Sequence, residues 1–169
     1  MALYFIANGA SPTTAAQVPV TTGTAIKTML QVKPSSTKPL QIVEWGISFD
    51  GSAAATPIRC ELLETDVAAT VTAHVAAGIV EFDGEAIVGG DVTTNLIQVG
   101  TSATGYTATA EGSITASRMF DVQFVAPTNQ YIKQFPLGLE PVVQVDKFMR
   151  IRVTAGAAVN AYCYVLVRV

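Results

Sequence analysis

The chain has 169 residues, enough for one domain that buries roughly 70% of its unfolded surface. Half of the residues are hydrophobic and only 14% are charged, against a usual ~25%, so Thr, Ser, Ala, Gly and apolar atoms must make up much of the surface. A net charge of −3 supplies no basic face for phosphate, which argues against nucleic acid as the partner. No run of ~20 residues is apolar enough to span a bilayer, which argues against a membrane role.

Leu3-Tyr4-Phe5-Ile6 is a short apolar run closed by the turn signal Asn8-Gly9. It reads as an edge strand or as an arm laid on a neighbouring copy. The N-terminus has no basic region and too short an apolar run for a signal peptide. Residues 1–23 are therefore expected to form an arm and loop, with Pro12 and Pro19 opposing a helix. Residues 24–169 are expected to form one β-sandwich domain.

Ala25–Val32 alternates as a half-buried strand, and Leu40–Asp50 follows after a Pro-bounded loop. Trp45, the only tryptophan, reads as a core anchor. Pro57–Glu64 is a further strand with Ile58, Cys60 and Leu62 inward. Asp66–Ala77 fits a short helix or an irregular strand, and its threonines and valines favour the extended form. Residues 78–115 are rich in Gly and Thr, with apolar fragments at Ile79-Val80, Ala86–Val88 and Leu96–Val99. They read as a long insertion of loops and short strands, a common place for interaction surfaces. Ser117–Ala126 sets Phe120, Val122 and Phe124 on one face, and Gln130–Gly138 is the next strand.

The chain closes on two long β-patterned runs, Val142–Val153 and Val159–Val169, joined through Thr154–Ala157. Read as a hairpin, they set Val153 opposite Val159, Ile151 opposite Ala161 and Met149 opposite Cys163 on one apolar face. The other face carries Phe148, Arg150 and Arg152 with Asn160, Tyr162 and Tyr164. A pair this apolar needs a second sheet to cover it. The expected fold is all-β: a jelly-roll-like antiparallel β-sandwich of about eight main strands.

No catalytic group assembles. His74 is the only histidine and lies in an Ala/Val/Thr run, where it reads as structural or exposed rather than as a general base. Cys60 and Cys163 lack CxxC spacing and read as buried free thiols, although one disulfide between strands is compatible with the pattern. Gly100 and Gly105 have P-loop spacing, but Tyr106 stands where Lys is required. Glu61/Glu64 and Asp83/Glu85 are paired carboxylates by proximity alone, and Asp83-Gly84-Glu85 reads as a solvated loop before it reads as a calcium contact. No cofactor and no metal are expected, and the chain is expected not to be an enzyme.

Charge is unevenly spread. No Lys or Arg occurs between Arg59 and Arg118, whereas the terminal runs hold Lys147, Arg150, Arg152 and Arg168 against Asp146. Such a split suits a head-to-tail contact between copies. Scattered solvated charge is the plainer reading. Tyr162, Tyr164, Phe148 and Arg150 together would make an aromatic, polar face of the kind that binds glycans, with cross-strand packing as its ordinary explanation.

The segment Trp45–Leu62, a strand, a small-residue turn and a Pro-begun strand running into Glu61-Leu62, resembles a pattern in virion structural proteins of tailed bacteriophages. Gln134–Glu140, Phe148–Ala155 and Ala158–Asn160 are similar to the same group, so the resemblance spans roughly residues 40–169. It implies a capsid decoration (cement) protein that binds the major capsid protein, associates with itself and is assembled in the host cytoplasm into the virion. The family has no catalytic residues to carry over. The expected interaction surface is Leu3, Tyr4, Phe5 and Ile6 with Phe148, Arg150, Arg152, Tyr162 and Tyr164. The alternative is a glycan-binding or receptor-binding virion or tail module.

Overall fold

Period-two alternation decides which side chains enter the core, and pairing decides which sheet each strand joins. The computed structural model describes residues 2–51, 56–82 and 96–169. Its strands are β1 (Leu3–Ala7), β2 (Val20–Thr21), β3 (Ile26–Pro34), β4 (Leu40–Phe49), β5 (Ile58–Thr65), β6 (Thr70–Ala73) and β7 (Ile79–Glu81). They continue with β8 (Ile97–Gln98), β9 (Gly105–Ala110), β10 (Ser117–Val125), β11 (Gln130–Gln134), β12 (Val142–Val143), β13 (Phe148–Thr154) and β14 (Asn160–Arg168).

Sheet A has the order β11-β4-β14-β1-β7, and sheet B the order β10-β5-β13-β3-β9-β6. Four antiparallel pairs define the topology: β1 with β14, β3 with β13, β4 with β11 and β5 with β10. Among these eight principal strands the first pairs with the last, the second with the seventh, the third with the sixth and the fourth with the fifth. That is one long hairpin rolled up on itself, the jelly roll expected from the sequence. The excursion between β5 and β10 sits at the tip of that hairpin. It is more than loop: β7 extends sheet A beside β1, and β9 and β6 extend sheet B beside β3. Residues 83–95, with Asp83, Glu85, Asp91 and the Ala86–Val88 fragment, lie outside the described residues.

The core is filled from both sheets. Tyr4, Ile6, Trp45, Ile47, Cys163, Val165 and Val167 face Leu30, Val32, Cys60, Leu62, Met149, Ile151 and Val153, all of them buried. The terminal apolar face is therefore real, but the hairpin is not. β13 pairs with β3 and β5, while β14 pairs with β1, β4 and β2. Residues 155–159 arch from one sheet to the other, so the two apolar faces meet across the core and each strand is the other's cover. Alternation has the same period in an arch as in a hairpin, which is why sequence pattern alone does not separate them.

The N-terminal run is also a different object from the arm expected. β1 is hydrogen-bonded on both sides, to β14 and β7, and Tyr4 and Ile6 are core residues. Residues 66–77 are extended, as favoured, with β6 followed by a 3-10 turn at Ala76–Gly78.

On β10 a bulge between Met119 and Asp121 turns Asp121 inward and leaves Val122 and Phe124 on the outer face, exposed. The buried Asp121 carboxylate accepts from Trp45 Nε1 (3.2 Å), Tyr131 Oη (2.9 Å) and Gln123 Nε2 (3.2 Å), and pairs with Lys133 (3.3 Å). Burial pushes its pKa up, but the hydrogen bonds from Gln123, Tyr131 and Lys133 outweigh that and hold it below the ordinary value. Trp45 is thus the expected core anchor, tied at its one polar atom.

Cys60 and Cys163 are free and buried, facing inward from opposite sheets. Face-packed sheets lie roughly 10 Å apart, beyond the about 4.4–6.8 Å between Cα atoms that a disulfide spans.

Candidate functional site

On the outer face of sheet A a set of neighbouring large side chains points away from the core with little above it. Cross-strand pairing sets Val80, Phe5, Leu166 and Glu44 in one row, Ala7, Tyr164, Gly46 and Ile132 in the next, and Tyr162, Ser48 and Gln130 in the third. Phe82 stacks on Phe5 with ring centroids 5.9 Å apart, and Phe5 stacks on Tyr164 at 5.3 Å. Phe82 and Ile132 are each more than half exposed. A shallow cleft of about 150 Å³ lies between Ile132, Tyr162 and Tyr164.

Local sequence explains why the rings lie flat enough to share a face. Gly46 stands directly beside Tyr164, and a Cβ there would sit 2.5 Å from Tyr164 Cε1. The missing side chain is the space into which the tyrosine reclines. Its hydroxyl donates to Glu44 Oε1 at 2.6 Å. Burial first, and then the Glu44 carboxylate, push the Tyr164 phenol well above its ordinary pKa, so it remains a donor throughout the physiological range. Phe5 stacks with both Phe82 and Tyr164, so its ring is already engaged within this face.

Of the nine residues expected at an interaction surface, four meet here: Leu3, Phe5, Tyr162 and Tyr164. Tyr4 and Ile6 alternate inward and are buried. Phe148, Arg150 and Arg152 belong to the other sheet, because β13 and β14 do not pair. Phe148 is buried and Arg150 is fully buried. The aromatic face with Arg150 at its centre, the basis of the glycan alternative, is therefore not formed.

Arg150 works as a clamp. Its Nη1 donates to the Glu111 backbone carbonyl and to Glu111 Oε2, both at 3.0 Å, and its Nη2 to the Val67 carbonyl. Glu111 also accepts from the Thr28 amide (2.5 Å) and hydroxyl (2.6 Å). Gln31, also buried, bonds to the Ala103 carbonyl and the Ala69 amide. These contacts hold the β5–β10 excursion against the outer face of sheet B, and Ala69, Val71 and Ala108 form a small buried apolar cluster of the excursion's own residues. Arg152 meets Glu61 at 2.7 Å, Arg59 meets the same carboxylate at 2.7 Å, and Arg118 meets Glu64 at 3.0 Å. Acidic residues of the 59–118 stretch and basic residues of the C-terminal runs thus meet within the chain, as Arg152–Glu61 and Arg150–Glu111. Glu61 and Glu64, three residues apart on a strand, point to opposite faces and are no acid–base pair.

His74 is buried, with Nε2 donating to the Ala7 carbonyl at 2.7 Å and its ring edge-on to Tyr106. Burial holds its pKa below the ordinary value, so it is a neutral structural ring. Among the described residues no group of three His, Cys, Asp or Glu gathers in metal-binding geometry, and the Asp83-Gly84-Glu85 candidate lies outside them.

Sequence reasoning missed Val80, Phe82, Ile132, Leu166, Glu44 and Gly46. The run Tyr162-Tyr164-Leu166 carried a readable signal: large side chains on the outward parity of a strand whose inward parity is already apolar. Phe82, at the edge of the excursion, carried none. No family model, curated protein or solved structure matches the chain.

Proposed function

We propose that this chain is a non-enzymatic virion structural protein of the capsid decoration type, docking on a head lattice through the outer face of sheet A. The observation that carries the reading is the aromatic ladder Phe82–Phe5–Tyr164, with Tyr162, Ile132 and Val80 beside it, on a rigid jelly roll. Contiguous exposed apolar area on a folded domain marks a binding face, and aromatic side chains dominate the energetic centres of such faces. The resemblance of residues 40–169 to tailed-phage virion proteins supplies the partner: the major capsid protein of a particle assembled in the host cytoplasm. An interface flush with a sheet suits a protein that must sit in many copies on a repeating lattice.

The test is saturable binding of the purified chain to undecorated phage heads, with head survival on heating as a second readout. Tyr164→Ala and Phe5→Ala are each expected to weaken head binding by about tenfold or more. Absence of binding to heads, or unchanged binding by both variants, ends this reading. A saccharide panel run on the same preparations identifies the glycan-binding alternative if it is the correct one.

A further inference from the structure

We infer that Asn8-Gly9 is a one-way latch on sheet A: closed, the Asn8 side chain fastens the end of β1 to β14; opened, Asn8 deamidates and the product does not close again. Asn8-Gly9 is the only Asn-Gly pair in the chain. In an unfolded chain this pair loses ammonia more readily than any other asparagine sequence, because a following glycine offers the least hindered main-chain nitrogen. The Gly9 nitrogen attacks Asn8 Cγ, the bond from Cγ to Nδ2 breaks, and ammonia leaves with the proton that Gly9 gives up. Water then opens the cyclic imide on one side or the other, giving aspartate or isoaspartate.

The folded chain holds the pair out of reaction. Along one side of β14, pairing with β1 ends at Ala7–Tyr164 and pairing with β2 begins at Val20–Ala161, so neither strand covers the backbone between. Asn8 takes the place of a strand there. Its main-chain amide donates to the Cys163 carbonyl at 2.9 Å, its Nδ2 donates to the Ala161 carbonyl at 3.1 Å, and its Oδ1 accepts from the Cys163 amide at 2.9 Å. The residue is only 1% exposed. Both ends of the side-chain amide are thus engaged across the sheet, and Cγ cannot swing to the Gly9 nitrogen without breaking both bonds in a site water does not reach.

The same bonds make the product a misfit. An aspartate at this position still accepts from the Cys163 amide, but it has no donor for the Ala161 carbonyl and sets a carboxylate oxygen against that buried carbonyl oxygen. Isoaspartate adds a methylene to the main chain and moves residues 9 onward out of step with β14. β1 lies between β14 and β7, so a chain that fails to close at Asn8 loses the seam that joins β7 to the rest of sheet A. An opening long enough for the reaction is therefore irreversible. The lifetime of the fold is then set by how often this end of β1 opens, not by its equilibrium stability.

The experiment ages the full chain in mildly alkaline buffer, with and without guanidinium, and with reductant to keep Cys60 and Cys163 as thiols. Deamidation is followed by mass in the tryptic peptide 1–27, where Asn8 is the only asparagine. Asn8 should react at least about a hundredfold more slowly in the folded chain, because opening an interior strand lies near the global end of the opening free energies. The exposed Asn129 and Asn160 give the comparison: Asn8 should lead both in denaturant and lose that lead in the native chain. The share of wild type that refolds on dilution should fall in step with the loss of Asn8. Gly9→Ala keeps every Asn8 bond, because its new Cβ lies 2.9 Å from Gln17 Nε2 and displaces only the end of that flexible side chain. It should slow deamidation in denaturant, and the loss of refolding with it, at least about tenfold. Folded and denatured chains reacting within about tenfold of each other, a deamidated chain that refolds to the wild-type melting temperature, or a Gly9→Ala chain that loses refolding as fast as wild type would each overturn the inference.

Discussion

The outer faces of the two sheets have the same alternation and opposite fates. On sheet B, the outward residues Thr28, Gln31 and Arg150 are polar, and all three are buried beneath the excursion between β5 and β10. On sheet A, the outward residues Phe5, Tyr162, Tyr164 and Ile132 are large and apolar or aromatic, and they are left partly or largely open. Polar side chains thus act as internal fastenings where the excursion covers sheet B, although Val122 and Phe124 stay exposed on its β10 edge, and aromatic and apolar ones form the open surface of sheet A. A residue's role follows from whether its face is covered, which its chemistry and parity do not reveal.

The sharpest way to break that comparison is to cut one anchor on each side. Arg150→Ala should destabilise the chain by about 3 kcal/mol, because it empties a fully buried site and leaves the Val67 carbonyl without its donor and the partly buried Glu111 without its cation. Tyr164→Ala should cost about 1 kcal/mol. Urea denaturation measures both, and near-equal costs would show that the excursion over sheet B is not held as described. Gly46→Ala comes next. Its new Cβ displaces the far end of the Tyr164 ring, at about 1 kcal/mol in stability, and should weaken head binding far more than it lowers the melting temperature.

Acid provides a third probe, and its sign is set by the shifted groups. His74 in the folded chain has a pKa below its ordinary 6.5, so below that value the unfolded chain binds the proton more readily. The stability His74 contributes is complete above pH 6.5 and is lost as pH falls from there towards the folded pKa. Asp121, whose pKa is also depressed, adds a loss that begins only below about 3.8. His74→Gln should flatten the upper limb of a stability–pH curve and leave the lower limb in place; an unchanged upper limb would mean that His74 is not the group responsible. The smallest effect concerns the thiols. Burial, with Glu61 adding to it, pushes Cys60 up to about 12, and burial also raises Cys163 well above its ordinary value. Neither should react with a thiol reagent at pH 8 in the native state, and both should react in denaturant.

Much of this fold was legible as pattern. The principal strands from Ala25 onwards, the inward parity of Ile151, Val153, Cys163 and Val165, and the jelly-roll class all follow from alternation and turn signals. Pairing partners were not legible, because an arch and a hairpin share one period, and that single ambiguity carried Arg150 and Phe148 onto the wrong face. Leu3–Ile6 reads as an edge strand or an arm, and not as the interior strand it is, for a related reason: one of its partners, β14, lies at the far end of the sequence. Asp121 escaped notice because a bulge reverses parity part-way along β10, and nothing in Phe120-Asp121-Val122 announces a bulge.

The pairing of Leu3 with Arg168 also bears on how the molecule is made. During synthesis β1 emerges first and waits for a partner that is translated last. Sheet A cannot close until β14 has left the ribosome, and contacts of such long sequence separation slow folding. Through that interval the nascent chain exposes the same aromatic and aliphatic residues that later form its core and its open face. Its yield in a cell should therefore depend on temperature and chaperone supply more steeply than its final stability would suggest.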